Sequence, residues 1–441
     1  MVTMVQRNRE KFIPKVHPVK NSTIPQPKPT KEKIKNCLKN FLFIDLEKEA
    51  STCSGFYGLL IIFLVVASTL MISIIPQHDV IKYPNFWPET LLRSTNYYII
   101  LVLCLSFDYQ LIMNPRDTLS AKQVFYTLLI VITFMSILSV IAHIIWIYSL
   151  NYRPPIPFLE ILLRWISSVV FFVPFWAQQP RDHRNDIEYT ERFKWLMLTN
   201  ALFQVIFVAY YFSVGLFAKI PHKMQPIGAF LFPIIRYVCL NITQKITFKA
   251  QGENASSAQV ATGCKIACNH ALCLSLIIGS AATEVTSAVF YVIDVLLNLY
   301  SCYCIVKLHR KNEEVSKIKI SVQALMIKES LQILIPLSYS LILFLSYYGP
   351  NAEIIGNMKN EYWQFHKIED ISSPLTKIAI LVFVDWMLLF CSSLIMWKCC
   401  KIFLINEYFR IMEIYWKPIT FYISTVLLTV SIYTNKLVNH F

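Results

Sequence analysis

Long apolar stretches alternate with short polar segments along most of this chain, and the pattern predicts a bundle of membrane-spanning helices. One bilayer crossing needs about 20 apolar residues. The candidate spans are residues 56–76, 96–113, 124–149, 157–176, 195–217, 226–243, 269–287, 288–308, 330–348, 378–398 and 418–435. Two of them, 226–243 and 418–435, are short. We therefore expect an all-α, polytopic integral membrane helical bundle of about 9 to 11 transmembrane helices.

The longest apolar run extends from His270 to Leu308 and carries two acids, Glu284 and Asp294. It has roughly 40 residues, enough for two crossings joined by a very short turn. The joint is predicted within 279–287, where small and hydroxylic residues surround Glu284. An acid in a membrane segment is unfavourable unless it faces protein or water, so both acids are candidates for a functional site.

Composition supports the membrane class. The chain is 55% hydrophobic and 15% charged, with a mean hydropathy of +0.49, whereas soluble domains carry about 25% charged residues. The formal net charge is +14, but the basic residues fall in short tracts between apolar spans, as the positive-inside bias predicts. We expect no nucleic-acid binding, because no basic, aromatic-interleaved domain lies outside the spans.

Charge also predicts the orientation. With the N-terminus in the cytosol, the inner segments carry about three times as many Lys and Arg residues as the outer ones. Residues 1–50 are rich in Lys and Pro and are predicted to form a cytosolic, basic, largely disordered tail. Residues 51–441 are predicted to form a single multi-span transmembrane domain, in the plasma membrane or an endomembrane.

Further charged residues fall inside the predicted spans. Arg236 follows Pro233, which is expected to bend or break its helix. A permanently charged guanidinium in a membrane needs an anionic partner. Glu284, Asp294 and Asp385 are the available acids, with Glu284 favoured, and the alternative is contact with lipid phosphates. Asp294, Glu284, Arg236 and Asp385 form the predicted intramembrane charged pathway.

Two more acids are candidates for structural roles. Glu160 and Arg164 are four residues apart and share one helix face, which predicts a structural ion pair. Asp108 lies near the predicted inner end of its span, so an interfacial position is the alternative to burial.

The longest outer loop, Tyr347 to Lys377, is polar and aromatic. Loops of this length are uncommon unless they are functional or disordered, and its aromatic residues argue against disorder. It is predicted to form a ligand-facing lid or a structured cap, and an interfacial aromatic belt is equally compatible. The outer-loop candidates are Asn351, Glu353, Trp363 and His366.

The sequence contains no recognisable catalytic or metal-binding motif. Phosphate-binding loops, nucleophile elbows, metalloprotease motifs and dinucleotide-binding motifs are absent. Cys264, Cys268, His270 and Cys273 fall in one window, but their spacing matches no standard zinc pattern. We therefore assign no catalytic residue, expect no metal site and no cofactor, and do not expect an enzyme.

The leading interpretation is a secondary transporter or channel-like protein with a charged intramembrane pathway. Its expected partners are the lipid bilayer and a small ion or solute. One alternative is a membrane receptor or scaffold that uses the 347–377 outer loop. Another is a membrane-embedded, lipid-modifying enzyme.

Overall fold

The chain folds into long helices, as the apolar pattern predicts. The computed structural model describes residues 87–113, 120–150, 157–251, 255–281, 283–311, 315–348 and 372–433, and at some helical positions only the backbone is described. The helices in these ranges are α1 (Trp87–Met113), α2 (Ala121–Leu150), α3 (Pro157–Ala177), α4 (Arg181–Asn185), α5 (Ile187–Lys219), α6 (Gln225–Gly228), α7 (Leu231–Gln251), α8 (Ala255–Ser280), α9 (Glu284–Arg310), α10 (Val315–Tyr348), α11 (Ser372–Cys400) and α12 (Leu404–Tyr433). No strand occurs among the described residues, and all of them belong to one compact unit, Leu42–Phe441.

Seven segments within the described ranges are long and apolar enough to cross a membrane. They are Lys122–Ala142, Ile187–Phe217, Gln225–Thr243, Thr262–Gly279, Glu284–Arg310, Ile320–Phe344 and Ser372–Cys400. Each overlaps a predicted span. The predicted spans 96–113 and 157–176 fall within α1 and α3, and the described part of the predicted span 418–435, residues 418–433, falls within α12. These three helices are not among the seven. The predicted span 56–76 and the 1–50 tail lie outside the described residues.

The joint in the long apolar run lies within the predicted segment 279–287. α8 ends at Ser280 and α9 begins at Glu284, a few residues before the boundary between the predicted spans 269–287 and 288–308. Thr283 sets this start, because its side chain accepts a hydrogen bond from the Thr286 N–H. Glu284 then occupies the first turn of α9, where a negative charge is favourable near the positive end of the helix dipole.

Pro233 does not break a helix. A four-residue helix, α6, ends at Gly228, and α7 begins at Leu231. Pro233 therefore lies in the first turn of α7, where the backbone N–H that proline lacks would have no intrahelical partner. Arg236 follows on the next turn of an unbroken helix.

α8 is the central helix of the described bundle. It packs against α1, α5, α7, α9, α10, α11 and α12, and 83% of its apolar segment Thr262–Gly279 is buried, against 28% for α9 and α11. Small residues such as Ala267, Ala271 and Ser275 recur at helical spacing along it. Small side chains let neighbouring helices approach closely, so α8 can be enclosed on all sides.

Candidate functional site

α9 buries one narrow stripe of residues that is unusually polar. Its buried residues are Thr286, Ser287, Phe290, Ile293, Asp294, Asn298, Cys302, Ile305 and Val306. Steps of three and four place them on one helix face. The opposite face exposes large apolar side chains, including Val292, Leu296 and Leu299. The polar residues therefore point into the bundle and the apolar ones point out.

α11 has the same arrangement. Its buried stripe is Pro374, Lys377, Ile378, Leu381, Asp385, Leu388, Ser392, Met396 and Cys400. Phe383, Trp386 and Phe390 are exposed on its outer face. The buried faces of both helices carry polar residues, and their outward faces carry large apolar residues. This pattern is the reverse of that in a water-soluble protein and fits helices whose outward faces contact lipid.

Asp294 and Asp385 bring their carboxyl groups within hydrogen-bonding range of each other. Their exposures are 3% and 0%. Further along the same two helices, the Ser392 hydroxyl donates to Asn298 Oδ1 over 2.8 Å. The two inner stripes therefore meet at more than one level.

α10 completes the cluster with Lys328, Glu329 and Gln332, all buried. Gln332 Nε2 donates to Asp294 Oδ1 over 2.7 Å. Lys328 Nζ donates to Glu329 Oε1 over 2.9 Å. We refer to Asp294, Asn298, Lys328, Glu329, Gln332, Asp385 and Ser392 as the buried polar cluster.

Sequence reasoning missed the α10 members of the buried polar cluster. The predicted span began at residue 330, whereas α10 begins at Val315 and its apolar segment at Ile320. Lys328 and Glu329 were therefore assigned to a polar segment outside the membrane. The apolar residues that precede them, from Ile320 to Ile327, were the available signal.

Arg236 is close to the buried polar cluster but forms no ion pair with the predicted partners. Its nitrogens lie more than 4.0 Å from the carboxylate oxygens of Glu284, Asp294 and Asp385, whose side chains are all described. It still interacts electrostatically with Asp294, Glu329 and His270 of α8. Arg236 therefore contributes positive charge at the edge of the cluster.

When the carboxyl groups of Asp294 and Asp385 are both ionised, so that neither can donate to the other, several buried polar atoms of this region have no hydrogen-bond partner among the described residues. They are Asp294 Oδ2, both carboxylate oxygens of Asp385, Asn298 Nδ2, Glu329 Oε2, Gln332 Oε1 and His270 Nδ1. Buried polar groups are nearly always paired in native proteins. Such a concentration at one place is typical of a site that takes a ligand or ion.

Glu284 lies apart from the buried polar cluster. Its side chain is 80% exposed, and its carboxylate is 3.4 Å from Lys377 Nζ. Lys377 also donates to the carbonyl oxygen of Ala281 over 2.9 Å. Glu284 thus belongs to the α8–α9 joint, whereas Asp294 is buried in the bundle.

A second buried ion pair links α1 and α8. Lys265 Nζ donates to Asp108, and the Tyr422 hydroxyl of α12 donates to the other oxygen of the same carboxylate. The Lys265 ammonium also lies 4.5 Å from the centre of the Phe203 ring. Asp108 is therefore buried rather than interfacial. Lys265 was missed because the sequence placed the start of its span at residue 269.

Other predicted residues are separate from the buried polar cluster or fall outside the described part of the chain. Glu160 and Arg164 both lie in α3, but their side chains are not described. The outer-loop candidates Asn351, Glu353, Trp363 and His366 lie in the undescribed range 349–371. A surface concavity of about 470 Å³, lined by residues of α4 and α5 and their junction, shares no residue with the cluster.

No group of three or more His, Cys, Asp or Glu side chains in the described ranges is arranged to hold a metal ion. Cys264, Cys268 and Cys273 are buried along α8. Their positions on one helix prevent their thiols from converging on one point.

These observations define a class of protein. Seven long apolar helices in the described ranges, two of which carry polar residues on their buried faces, make this chain a multi-pass helical membrane protein. No protein-family model, no curated protein and no solved structure matches it.

Proposed function

We propose that this protein is a secondary transporter or channel-like protein whose pathway passes the Asp294–Asp385 carboxyl pair. The observation that carries the proposal is that two acids from different helices meet in the bundle interior with most of their oxygens unpaired. Ionisable residues inside a membrane are unfavourable and mark ion or proton pathways in most proteins that have them.

The depth of the pair supports this proposal. Asp385 lies at the middle of the apolar segment Ser372–Cys400, and Asp294 lies slightly before the middle of Glu284–Arg310. Substrate and coupling-ion sites of secondary transporters lie near the bilayer midplane. A residue that only anchored the bundle to the interface would lie near a helix end.

The burial of the pair favours a carrier over an open pore. A conducting pore would expose its polar lining to water, but Asp294, Gln332 and Asp385 are all at most 3% exposed. A sealed site must open by movement of helices, which is how alternating access works. The described arrangement therefore fits an occluded state.

α10 has a feature that suits such movement. Pro336 lies inside this helix, one turn after Gln332. Because proline has no backbone N–H, the carbonyl of Gln332 receives no hydrogen bond from position 336. The helix that supplies Lys328, Glu329 and Gln332 is therefore weakened next to the site.

The experiment is ion flux in reconstituted vesicles. Full-length protein is placed in vesicles loaded with a Na⁺-, K⁺- or pH-sensitive dye, and the matching gradient of NaCl, KCl or protons is imposed. We expect the unmodified chain to dissipate one of these gradients, and Asp294→Asn and Asp385→Asn to reduce the rate at least tenfold. Glu191→Gln, an exposed acid on α5, is the matched control and should leave the rate unchanged.

The same experiment separates transport from a structural role. If the buried polar cluster only locks the bundle of a receptor or scaffold, the unmodified chain moves no ion and the two Asn variants change only the melting temperature. Equal flux in the unmodified chain and in a folded Asp385→Asn variant contradicts the proposed pathway.

A further inference from the structure

We propose that the Asp294–Asp385 pair binds one monovalent inorganic cation in exchange for one proton. This inference rests on the proposed function and specifies the class of ion that the pathway takes. It follows from the number of charges in the buried polar cluster and from the positions of its unpaired oxygens.

The pair holds a proton when no cation is bound. Two carboxylates at hydrogen-bonding distance repel each other strongly if both are ionised. A single proton between them turns the repulsion into a hydrogen bond, in which the carboxylic O–H of one residue donates to the carboxylate of the other. The pair titrates as a unit, so the proton belongs to both residues.

With that proton, the buried charges balance. The acids are Asp294, Asp385 and Glu329, and the bases that interact with them are Lys328 and Arg236. Three carboxyl groups with one shared proton carry two negative charges, which match the two bases. Loss of the proton leaves one net negative charge in the interior, and an unbalanced buried charge is highly unfavourable.

His270 does not change this balance. It is buried on α8 and interacts electrostatically with Asp294 and Lys328. A positively charged imidazole has two N–H donors, and Nδ1 of His270 has no partner among the described residues. We therefore assign the neutral form of His270. The Cys302 thiol beside this region donates to Asn298 Oδ1.

A monovalent cation restores neutrality when the proton leaves. The proton passes to water, the cation occupies its place between the carboxylates, and the site has no net charge before or after. A divalent cation would leave one excess positive charge. It would also need six or more oxygen ligands in the case of Ca²⁺.

Gln332 supplies evidence for a ligand beyond the two acids. Its Nε2 is held 2.7 Å from Asp294 Oδ1, and its Oε1, about 2.2 Å from Nε2 by covalent geometry, has no partner among the described residues. Gln332 is 2% exposed, so this carbonyl oxygen is buried beside the pair. Together with Asp294 Oδ2 and both oxygens of Asp385, it offers oxygen ligands of the type that hard cations prefer.

The test is the release of protons on cation binding. Purified full-length protein in weakly buffered detergent solution is titrated with NaCl, LiCl, KCl or CaCl₂, and a pH-indicator dye measures the protons released. Choline chloride corrects for ionic strength. We expect at least one of the three monovalent salts to release about one proton per chain, because a cation that replaces a bound proton must displace it. Asp385→Asn should release none, and Glu191→Gln should match the unmodified chain.

A second variant covers the case in which Asp385→Asn fails to fold. Gln332→Leu keeps both acids and removes the neutral carbonyl ligand, together with the hydrogen bond from Gln332 Nε2 to Asp294 Oδ1. We expect the same number of released protons per chain and at least a tenfold higher cation concentration at half-release. The inference is overturned if no monovalent salt releases more protons than choline chloride from the unmodified chain, or if only CaCl₂ does.

The outcomes distinguish this inference from the proposed function. Ion flux in vesicles without cation-induced proton release supports the pathway and contradicts proton–cation exchange at the pair. Proton release in detergent without flux in vesicles supports the binding site and contradicts transport.

Discussion

The ammonium group of Lys377, at the start of α11, donates a hydrogen bond to the backbone carbonyl of Ala281, just beyond the end of α8, over 2.9 Å. Carbonyl groups at the C-terminal end of a helix have no intrahelical partner and carry partial negative charge, so a cation there is favourable. The Tyr291 hydroxyl of α9 donates to the backbone carbonyl of Lys377 over 2.8 Å. Lys377 of α11 thus contacts both the end of α8 and a residue of α9.

Replacement of Lys377 by Met should destabilise the protein. The variant keeps the length of the side chain but leaves the buried Ala281 carbonyl unpaired, which costs about 1.5–3 kcal/mol for a hydrogen bond to a charged group. The melting temperature in detergent should fall accordingly. Lys398→Met, at the exposed last turn of the same helix, is the control. An equal melting temperature for both variants would show that Lys377 does not hold the joint.

The Asp108–Lys265 pair is expected to stabilise the contact between α1 and α8. Asp108→Asn leaves the Lys265 ammonium without its buried anionic partner, and removal of one member of a buried pair costs about 3–5 kcal/mol. Combination with Lys265→Met should recover part of the loss, because no uncompensated charge then remains. Thermal melting in detergent measures both effects.

The control for that prediction is Glu188→Gln, which breaks an exposed i,i+4 pair with Arg192 on α5. Exposed pairs contribute about 0.2–1 kcal/mol. If Asp108→Asn were no more destabilising than Glu188→Gln, the buried pair would have no structural role.

Pro336→Ala should make α10 stiffer. Alanine restores a backbone N–H that can donate to the carbonyl of Gln332, and one such bond is worth about 0.5–1.5 kcal/mol. We expect a higher melting temperature, an unchanged number of protons released per chain and a severalfold slower ion flux in vesicles.

Pro174→Ala is the matched control for Pro336→Ala, because Pro174 lies inside α3, outside the buried polar cluster. It should raise the melting temperature without slowing flux. Equal flux for Pro336→Ala and the unmodified chain would show that α10 does not bend at Pro336 during transport.

The two ends of α9 are expected on opposite sides of the membrane. α9 has 27 residues, which span roughly 40 Å at 1.5 Å per residue. In intact cells, a membrane-impermeant maleimide should label Glu284→Cys and should not label Lys311→Cys, both of which are exposed positions. A gel shift above that of the unmodified chain measures the labelling. Labelling of both positions would contradict the crossing, and the reverse pattern would contradict a cytosolic N-terminus.

The all-helical class and most of the long apolar helices could be predicted from the sequence. A long apolar segment that crosses a bilayer must pair its backbone polar groups within itself and therefore forms a helix. Hydropathy thus detects these helices. Asp294 was a candidate for a functional site because an acid in a membrane segment is unfavourable unless it faces protein or water. Helix ends were less predictable, since α8 and α10 both begin well before the predicted spans 269–287 and 330–348.

Those early starts explain why Lys265, Lys328 and Glu329 were missed. A charged residue inside a membrane lowers the local hydropathy, so a hydropathy pattern places the boundary after it. Only the packing of α8, α10 and α11 shows that these charges are enclosed by protein. The proximity of Asp294 and Asp385 depends on contacts between helices that are distant in sequence, and no local pattern encodes it.

Asp294 and Asp385 are proposed to share one exchangeable proton. The most direct measurement is the infrared spectrum of protein carrying ¹³C-labelled aspartate, in which the C=O stretch of a protonated aspartate is resolved from glutamate and lipid esters. We expect such a band in choline chloride, its loss when the binding monovalent cation is added, and its absence in Asp385→Asn. A spectrum without a protonated aspartate, or an equal band in Asp385→Asn and the unmodified chain, would contradict a proton shared by Asp294 and Asp385.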